Sequence, residues 1–352
     1  MSLPLNLKRL VKRASQLTLL ASVALAGTAL VTSSSSAEDA AAAPKPSKFK
    51  IATIAPSRSP WAKLLKLYRK RVKAKSVGLI PKTYFDSVKG DEQSIVRQVY
   101  KGSLQMGGVS TAALATVVPE MDILELPYAF PSLEAADRKL EEVRPIVEKI
   151  LNAKGLMLLM YSENGYRSFA VKGKCIRKPD DLKAMKMRAQ ESPVHVETYR
   201  AFGADPVTIS VSEVVSSLDR GVVVGFDNTP IISQALGWSE QITHFSTTRH
   251  IYQPALIIMN KQWFDGLTPE QQKTVREEGA KLESKGRKFV RKIKQGLMDN
   301  FKAAGVEVCE LTDAERAVFR DKAQAVWKIR EAQARKRNSK LGLELIAKMR
   351  GQ

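Results

Sequence analysis

With 352 residues, 44% of them hydrophobic, the chain carries enough apolar mass for a large core and is expected to divide into two lobes. Its formal net charge of +21 would suit nucleic acid, but the cations are spread along helices rather than gathered in one aromatic-studded stripe. An anionic solute or an anionic membrane surface accounts for them as well. The three His and two Cys show no C-x-x-C or H-x-x-x-H spacing, so neither a metal site nor a cofactor is expected.

Residues 1–37 read as a signal peptide. Lys8, Arg9, Lys12 and Arg13 form a basic n-region, Leu17–Val31 is too short an apolar run to favour a membrane span, and Ser35-Ser36-Ala37 fits the small-x-small cleavage pattern. Removing these four cations from +21 leaves +17. Residues 38–47 read as a flexible leader, and no later segment approaches the ~20 apolar residues of a membrane helix. The mature protein is therefore expected in the periplasm, where nucleic acid is not an expected partner. That compartment permits a disulfide, but whether Cys175 and Cys309 pair is left open by the sequence.

From residue 48 onward, strand and helix signals alternate. "KFKIATI" (48–54) is a strand; Ser59 and Pro60 then open a helix whose Trp61, Leu64, Leu65, Tyr68 and Val72 share one face. "LIPKTYF" (79–85) is a strand, Asp91 caps a helix stopped by Gly102, and "LQMGGVS" (104–110) is a third strand. A short helix "TAALATVV", an extended "ILELPYAF" (123–130), and a helix over 132–155 that could bend at Pro145 follow. "LMLLMYS" (156–162) reads as a buried parallel strand. This alternation predicts an α/β lobe with a mostly parallel sheet over 48–164, completed by roughly 253–290.

A second series starts near Asn164. Strands are expected at "RSFAVKG" (167–173), in "MKMRAQ" (185–190), at "PVTIS" (206–210) and at "VVVGFDN" (222–228). Helices "SPVHVETYRAFG" and "SEVVSSLDRG" lie between them, stopped by Gly203 and Gly221. This lobe spans 165–252 and is completed by C-terminal helices. "YQPALIIMNKQWF" returns into a sheet, and a long helical stretch opens at Thr268-Pro269-Glu270, where Gly279, Gly286 and Gly296 could permit bends. Residues 312–352 form a basic helical C-terminal segment.

Ligands of open α/β sheets bind beyond the carboxyl ends of strands. That rule selects Ala55–Trp61, Asp91-Glu92, Arg167, Arg188 and Asn228. A guanidinium at a cleft rim is a two-pronged donor for a carboxylate. The competing reading of Arg188 is a salt bridge to Glu191 or Asp181, or plain exposure. Trp61, Tyr166, Phe130 and Tyr252 are further candidates for the cleft wall, although the helix pattern alone already explains Trp61.

The segments Asp181-Leu182-Lys183, Lys186-Met187-Arg188, Phe202–Pro206, Ser212-Glu213-Val214, Leu218–Gly221 and Gly225–Asn228 resemble the DctP-like solute receptors of tripartite ATP-independent periplasmic (TRAP) transporters. "LELPYAF", "NGYRSF", "RHIYQPALIIMN" and "LTPEQQ" extend the resemblance to about residue 300. It implies two α/β lobes joined by crossing strands and a long helix, with an organic acid bound between them. It further implies that Arg188 clamps the ligand carboxylate, Arg167 assists, Asn228 hydrogen-bonds it and Glu92 meets polar ligand groups. The partners it implies are a small carboxylate ligand and membrane-embedded TRAP permease subunits; the receptor is expected to be a monomer. Ala184 stands where the family usually has Gly, and Asp227-Asn228 where it usually has Glu-Asn. The alternatives are a secreted enzyme acting on small organic acids, for which no G-x-S-x-G or H-E-x-x-H motif is present, and a membrane-surface protein using Arg335-Lys336-Arg337.

Overall fold

The computed structural model describes residues 47–352; the segment read as a signal peptide and most of that read as a leader lie outside the described residues. The first half is built from β1 (Ser47–Thr53), α1 (Pro60–Ala74), β2 (Leu79–Tyr84), α2 (Glu92–Tyr100), β3 (Met106–Ser110), α3 (Thr111–Leu114) and α4 (Leu133–Ala153). β4 (Leu156–Val171) leads to β5 (Lys186–Ala189), α5 (Pro193–Ala201), β6 (Asp205–Thr208), α6 (Val214–Asp219), β7 (Gly225–Asn228) and α7 (Pro230–Ala235). β8 (His244–Asn260) returns, followed by α8 (Lys261–Asp265), α9 (Pro269–Lys292), α10 (Lys294–Ala303), β9 (Glu307–Cys309), α11 (Asp313–Lys336) and α12 (Lys340–Arg350).

Local chemistry accounts for the boundaries. Ser59 accepts from Ala62 N with Pro60 in the first helical position, and Asp91 accepts from Ser94 N at 2.7 Å. Thr268/Gln271 and Thr312/Glu315 form reciprocal capping boxes at the starts of α9 and α11. The apolar face expected on α1 is buried in full.

One sheet runs in the order β2-β1-β3-β8-β4-β7-β5-β6, with β9 beside β8. Pairing is parallel within β2-β1-β3 and within β6-β5-β7, and antiparallel where β8 and β4 join them. The C-terminal half of β8 pairs with β3 and with the start of β4; its N-terminal half pairs with the end of β4 and with β9. The two crossing strands thus belong to both lobes. "LMLLMYS" and "RSFAVKG", read as separate strands, are one 16-residue strand whose pairing with β8 is irregular near Leu158, Glu163 and Arg167.

Other expectations need correcting. Pro119–Glu125 is a 3-10 helix rather than the start of an extended segment, and α4 continues through Pro145. α9 runs uninterrupted through Gly279 and Gly286, which admit neighbours. A Cβ would lie 2.5 Å from Leu159 Cδ1 at Gly279 and 2.7 Å from Leu64 Cδ2 at Gly286. The helix breaks instead at Ile293. The C-terminal helices are charged outside but not peripheral. Phe319 and Ala323 of α11 pack with Tyr199 and Phe202, whereas Val326, Trp327, Leu345 and Ile346 join the core around α4. α11 therefore also spans both lobes. Cys175 and Cys309 form a disulfide with Cα atoms 5.8 Å apart, tying the segment after β4 to β9. Because Cys175 is bonded, its closeness to His244 and Glu307 does not offer a thiolate for a metal.

Candidate ligand cleft

β5 places Arg188 one residue before its carboxyl end, and the side chain is 1% exposed. Its Nε donates to the Ile209 carbonyl at 2.9 Å, and its guanidinium lies over the Trp238 ring, 5.1 Å from the centroid. Among the described residues no carboxylate lies within salt-bridge distance of Arg188, and Nη1 and Nη2 have no hydrogen-bond partner. The pairings weighed from sequence do not form: Asp181 accepts from the backbone of Arg177 and Lys178 instead. Burial, then the repulsion of Arg167, pushes the Arg188 pKa down to about 10, so the group stays charged at neutral pH. A buried cation with two empty donor prongs is costly to maintain without an anion to meet it.

Asn228 ends β7, and the parallel register of Arg188 with Phe226 puts Arg188 and Asn228 on one face of adjacent strands. Asn228 Oδ1 accepts from Thr229 N at 2.8 Å, while its Nδ2 has no partner among the described residues. The fork of Arg188 and this amide form a set of unused donors.

Arg167 is the contrasting neighbour. It donates to Asp227 Oδ2 at 2.6 Å, Oδ1 at 3.0 Å and O at 2.7 Å, and to Gln190, Gln253 and Asn228. Burial would raise the Asp227 pKa, but Arg167, His250 and His195 outweigh it and hold the carboxyl well below its usual range. Tyr199 and His250 also bond Asp227, at 2.7 and 3.2 Å.

Glu92 opens α2. Both its oxygens accept from Ser110, one from N at 2.8 Å and one from Oγ at 2.9 Å. Burial pushes its pKa up, against these bonds. Gln190 Nε2 donates to Ser110 Oγ at 3.0 Å, so Glu92 is linked across the lobes to Arg167. Gln253 adds a second route, donating to Glu125 at 2.8 Å and to Gln190 at 3.0 Å. Glu125 is held by His195, Thr111 and Ala112 N.

Trp61 and Glu92 line a cavity of about 40 Å³ with Ala55, Asn164 and Ile232. Trp61 also serves packing, with Ile231 and Val290, and its Nε1 donates to the Glu163 carbonyl at 3.0 Å. Such a volume holds a few water molecules and lies far below the roughly 300–1,000 Å³ of ligand pockets.

The structure therefore brings together Arg167 and Asn228 directly, Arg188 on the face of Asn228, and Glu92 through Ser110 and Gln190. It does not bring in Tyr166 or Phe130. Tyr166 donates to the Phe130 carbonyl at 2.8 Å and lines a different cavity, while Phe130 is buried against Tyr252 with centroids 5.1 Å apart. Tyr252 itself is buried with its hydroxyl on Glu163. Sequence reasoning missed Gln190, Ser110, Gln253 and Glu125. Ser110 ends β3 and Gln190 directly follows β5, so the strand-end rule could have found those two.

The chain is similar in sequence and fold to known proteins. The model of the DctP family, described as bacterial extracellular solute-binding protein, family 7, matches residues 51–335. The chain is 31% identical over 241 residues to the 2,3-diketo-L-gulonate-binding periplasmic protein YiaO of Escherichia coli (strain K12), covering 68% of this chain and 73% of that protein. It is 29% identical over 223 residues to the C4-dicarboxylate-binding periplasmic protein DctP of Rhodobacter capsulatus, covering 62% and 67%. Among solved structures, a TRAP periplasmic solute-binding protein from Sulfitobacter sp. NAS-14.1 with bound β-D-galacturonate is similar at a TM-score of 0.82 and 25% identity, over 87% of this chain and 100% of that one. The sugar acid binding protein DctPAm of Advenella mimigardefordensis strain DPN7T, in complex with galactonate, has a TM-score of 0.80 and 25% identity, over 88% and 99%.

Proposed function

The chain belongs to bacterial extracellular solute-binding protein family 7, and we propose that it captures a carboxylate-bearing organic acid between its lobes and delivers it to the membrane-embedded permease subunits of a TRAP-type transporter. The observation that carries this reading is Arg188, a buried guanidinium without a carboxylate partner and with both Nη groups unfilled. A ligand carboxylate takes those two bonds in parallel, and the Asn228 amide donates a third. Arg167 is held by Asp227 and supports the site rather than clamping the ligand. Glu92, from the other lobe, accepts from ligand hydroxyls, which favours a polyhydroxy acid with one carboxylate over a dicarboxylate. The similar proteins with bound galacturonate and galactonate support that class.

The receptor works as a monomer, with lobes 48–164 and 165–252 closing on the ligand, and the names of its relatives as periplasmic binding proteins support a place in the periplasm. The ligand shifts the open–closed balance because Arg188 and Glu92 meet it together only when the lobes are shut. The ligand is not turned over. Thr248, His250 and Asp227 do form a hydroxyl–imidazole–carboxylate row, at 2.8 and 3.2 Å, but all three are at most 1% exposed and Phe169 stacks on the imidazole.

Calorimetry with galacturonate, glucuronate, galactonate and succinate tests the reading. At least one sugar acid should bind, and Arg188→Ala should weaken it by about 2–5 kcal/mol, the usual cost of truncating one partner of a desolvated charge pair. Arg188→Lys should also bind poorly, since a point charge does not replace the planar fork. Unchanged affinity in Arg188→Ala would sink the clamp, and recovery of a chemically altered ligand would replace the receptor by an enzyme.

A further inference from the structure

A second, larger cavity of about 250 Å³ lies beside the crossing strands, where β4 and β8 face the break between α9 and α10. Neither Arg188 nor Asn228 lines it. Ile231 and Val290 line it and pack with Ala55 and Trp61 of the cavity that holds Glu92, and Asn164 lines both. Its walls are largely apolar, from Leu133, Phe245, Leu297 and Met298.

Five charged side chains reach this space, and four are engaged. Glu163 and Arg291 pair with each other, and Arg291 also grips Asp137. Arg316 pairs with Asp313 and donates to the Thr247 carbonyl, and Glu310 accepts from Thr247 Oγ1 at 2.9 Å. Arg249 is the fifth. Among the described residues it has no carboxylate within salt-bridge distance, and its guanidinium lies over the Tyr166 ring, 4.5 Å from the centroid. Its backbone is left-handed, at φ 48°, a conformation that a long side chain adopts at a cost, and its N–H donates to Ser168 Oγ at 3.1 Å. A solvated surface arginine needs neither the strained backbone nor a half-buried place in an apolar chamber.

We propose that this cavity is a second ligand site, which takes a small anion with an apolar body. The carboxylate or similar head meets the Arg249 fork, and the body lies on Phe245, Leu297 and Met298. The volume is slightly below the usual range for ligand pockets, roughly 300–1,000 Å³, and suits a body the size of an arylacetate.

The probe is 4-fluorophenylacetate, titrated into the full mature chain and followed by fluorine NMR. Wild type should bind it at millimolar concentration or tighter. Arg188→Ala should bind it within about twofold of wild type, because the main cleft is not involved. Arg249→Gly should lose roughly tenfold or more in affinity, equivalent to at least about 1.4 kcal/mol. Glycine accepts the left-handed backbone, so that variant should fold at least as well as wild type. Met298→Trp, which fills the chamber and leaves Arg249 in place, should also lose the probe. The proposal falls if wild type does not bind, if Arg249→Gly and Met298→Trp bind normally, or if Arg188→Ala abolishes binding and so puts the probe in the main cleft.

Discussion

The surroundings of Arg167 and those of Arg188 differ in almost every respect although both arginines are 1% exposed and both belong to the second lobe's sheet. Around Arg167 each prong of the guanidinium is occupied, chiefly by Asp227, and the ion pair sits in a web of Gln190, Gln253, Tyr199 and His250. Around Arg188 there is one backbone carbonyl, one indole face and empty donors. Burial alone thus does not make an arginine functional. The difference between a satisfied charge and an unsatisfied one separates a structural residue from one kept for a ligand.

The largest expected effect tests that separation. Arg167→Ala leaves Asp227 buried and uncompensated, and should destabilise the protein by about 3–5 kcal/mol in denaturant unfolding. Arg188→Ala should leave stability unchanged or raise it, since a desolvated cation without a partner is removed. Equal losses in the two variants would erase the distinction.

Asn228→Ala comes next. It removes an unused amide donor and should weaken ligand binding by roughly 1–3 kcal/mol with little change in the melting temperature. A fall in stability as large as that in binding would mean that Asn228 belongs to the Arg167 web.

The pH dependence separates the two regions without mutation. The Asp227 pKa is lowered on folding, so its contribution to stability is fully present above the ordinary carboxylate value of about 3.9 and is lost as pH falls through the lower folded value. Acid unfolding should therefore begin below about pH 4. The Arg188 pKa is pushed down to about 10, so ligand affinity should hold through neutral pH and fall as pH rises past that value. Titration calorimetry at pH 7, 9 and 10.5 would show the decline, and a flat profile would mean that Arg188 keeps its charge past that value. The smallest effect is that of a solvated arginine: Arg337→Ala, at the exposed end of α11, should change stability by no more than about 0.5 kcal/mol and leave binding unaltered.

Much of this was legible in the sequence, and the reasons are local. Arg188 stands out because a fixed charge interrupts "MKMRAQ" where a strand leaves the core, and capping signals at Ser59, Asp91 and Thr268 marked the starts of α1, α2 and α9. Asp227, Glu125 and Gln253 were not legible as partners. The bonds that place them in the web, Arg167 to Asp227 and Gln253 to Glu125, join residues 60 and 128 positions apart, and no spacing rule reports them. The packing of Tyr166 against Phe130 was not legible for a related reason. Dividing β4 at Asn164 hid the irregular pairing with β8 near Glu163 and Arg167, on either side of Tyr166. In α11 the buried positions Phe319, Ala323, Val326, Trp327 and Ala334 do follow a helical face, but the surrounding charges made the segment look like a solvated tail.

The two shared strands also set the order in which the chain can fold. Met106 of β3 waits for Met259 of β8, and Leu156 of β4 for Asn260. Neither lobe has its full complement of strands until β8 has been supplied, so neither can complete early while the remainder is still being made. Pairings of such long sequence separation make for slow folding. A fragment ending before His244 should therefore lack a cooperative unfolding transition by circular dichroism, whereas the full mature chain should show one.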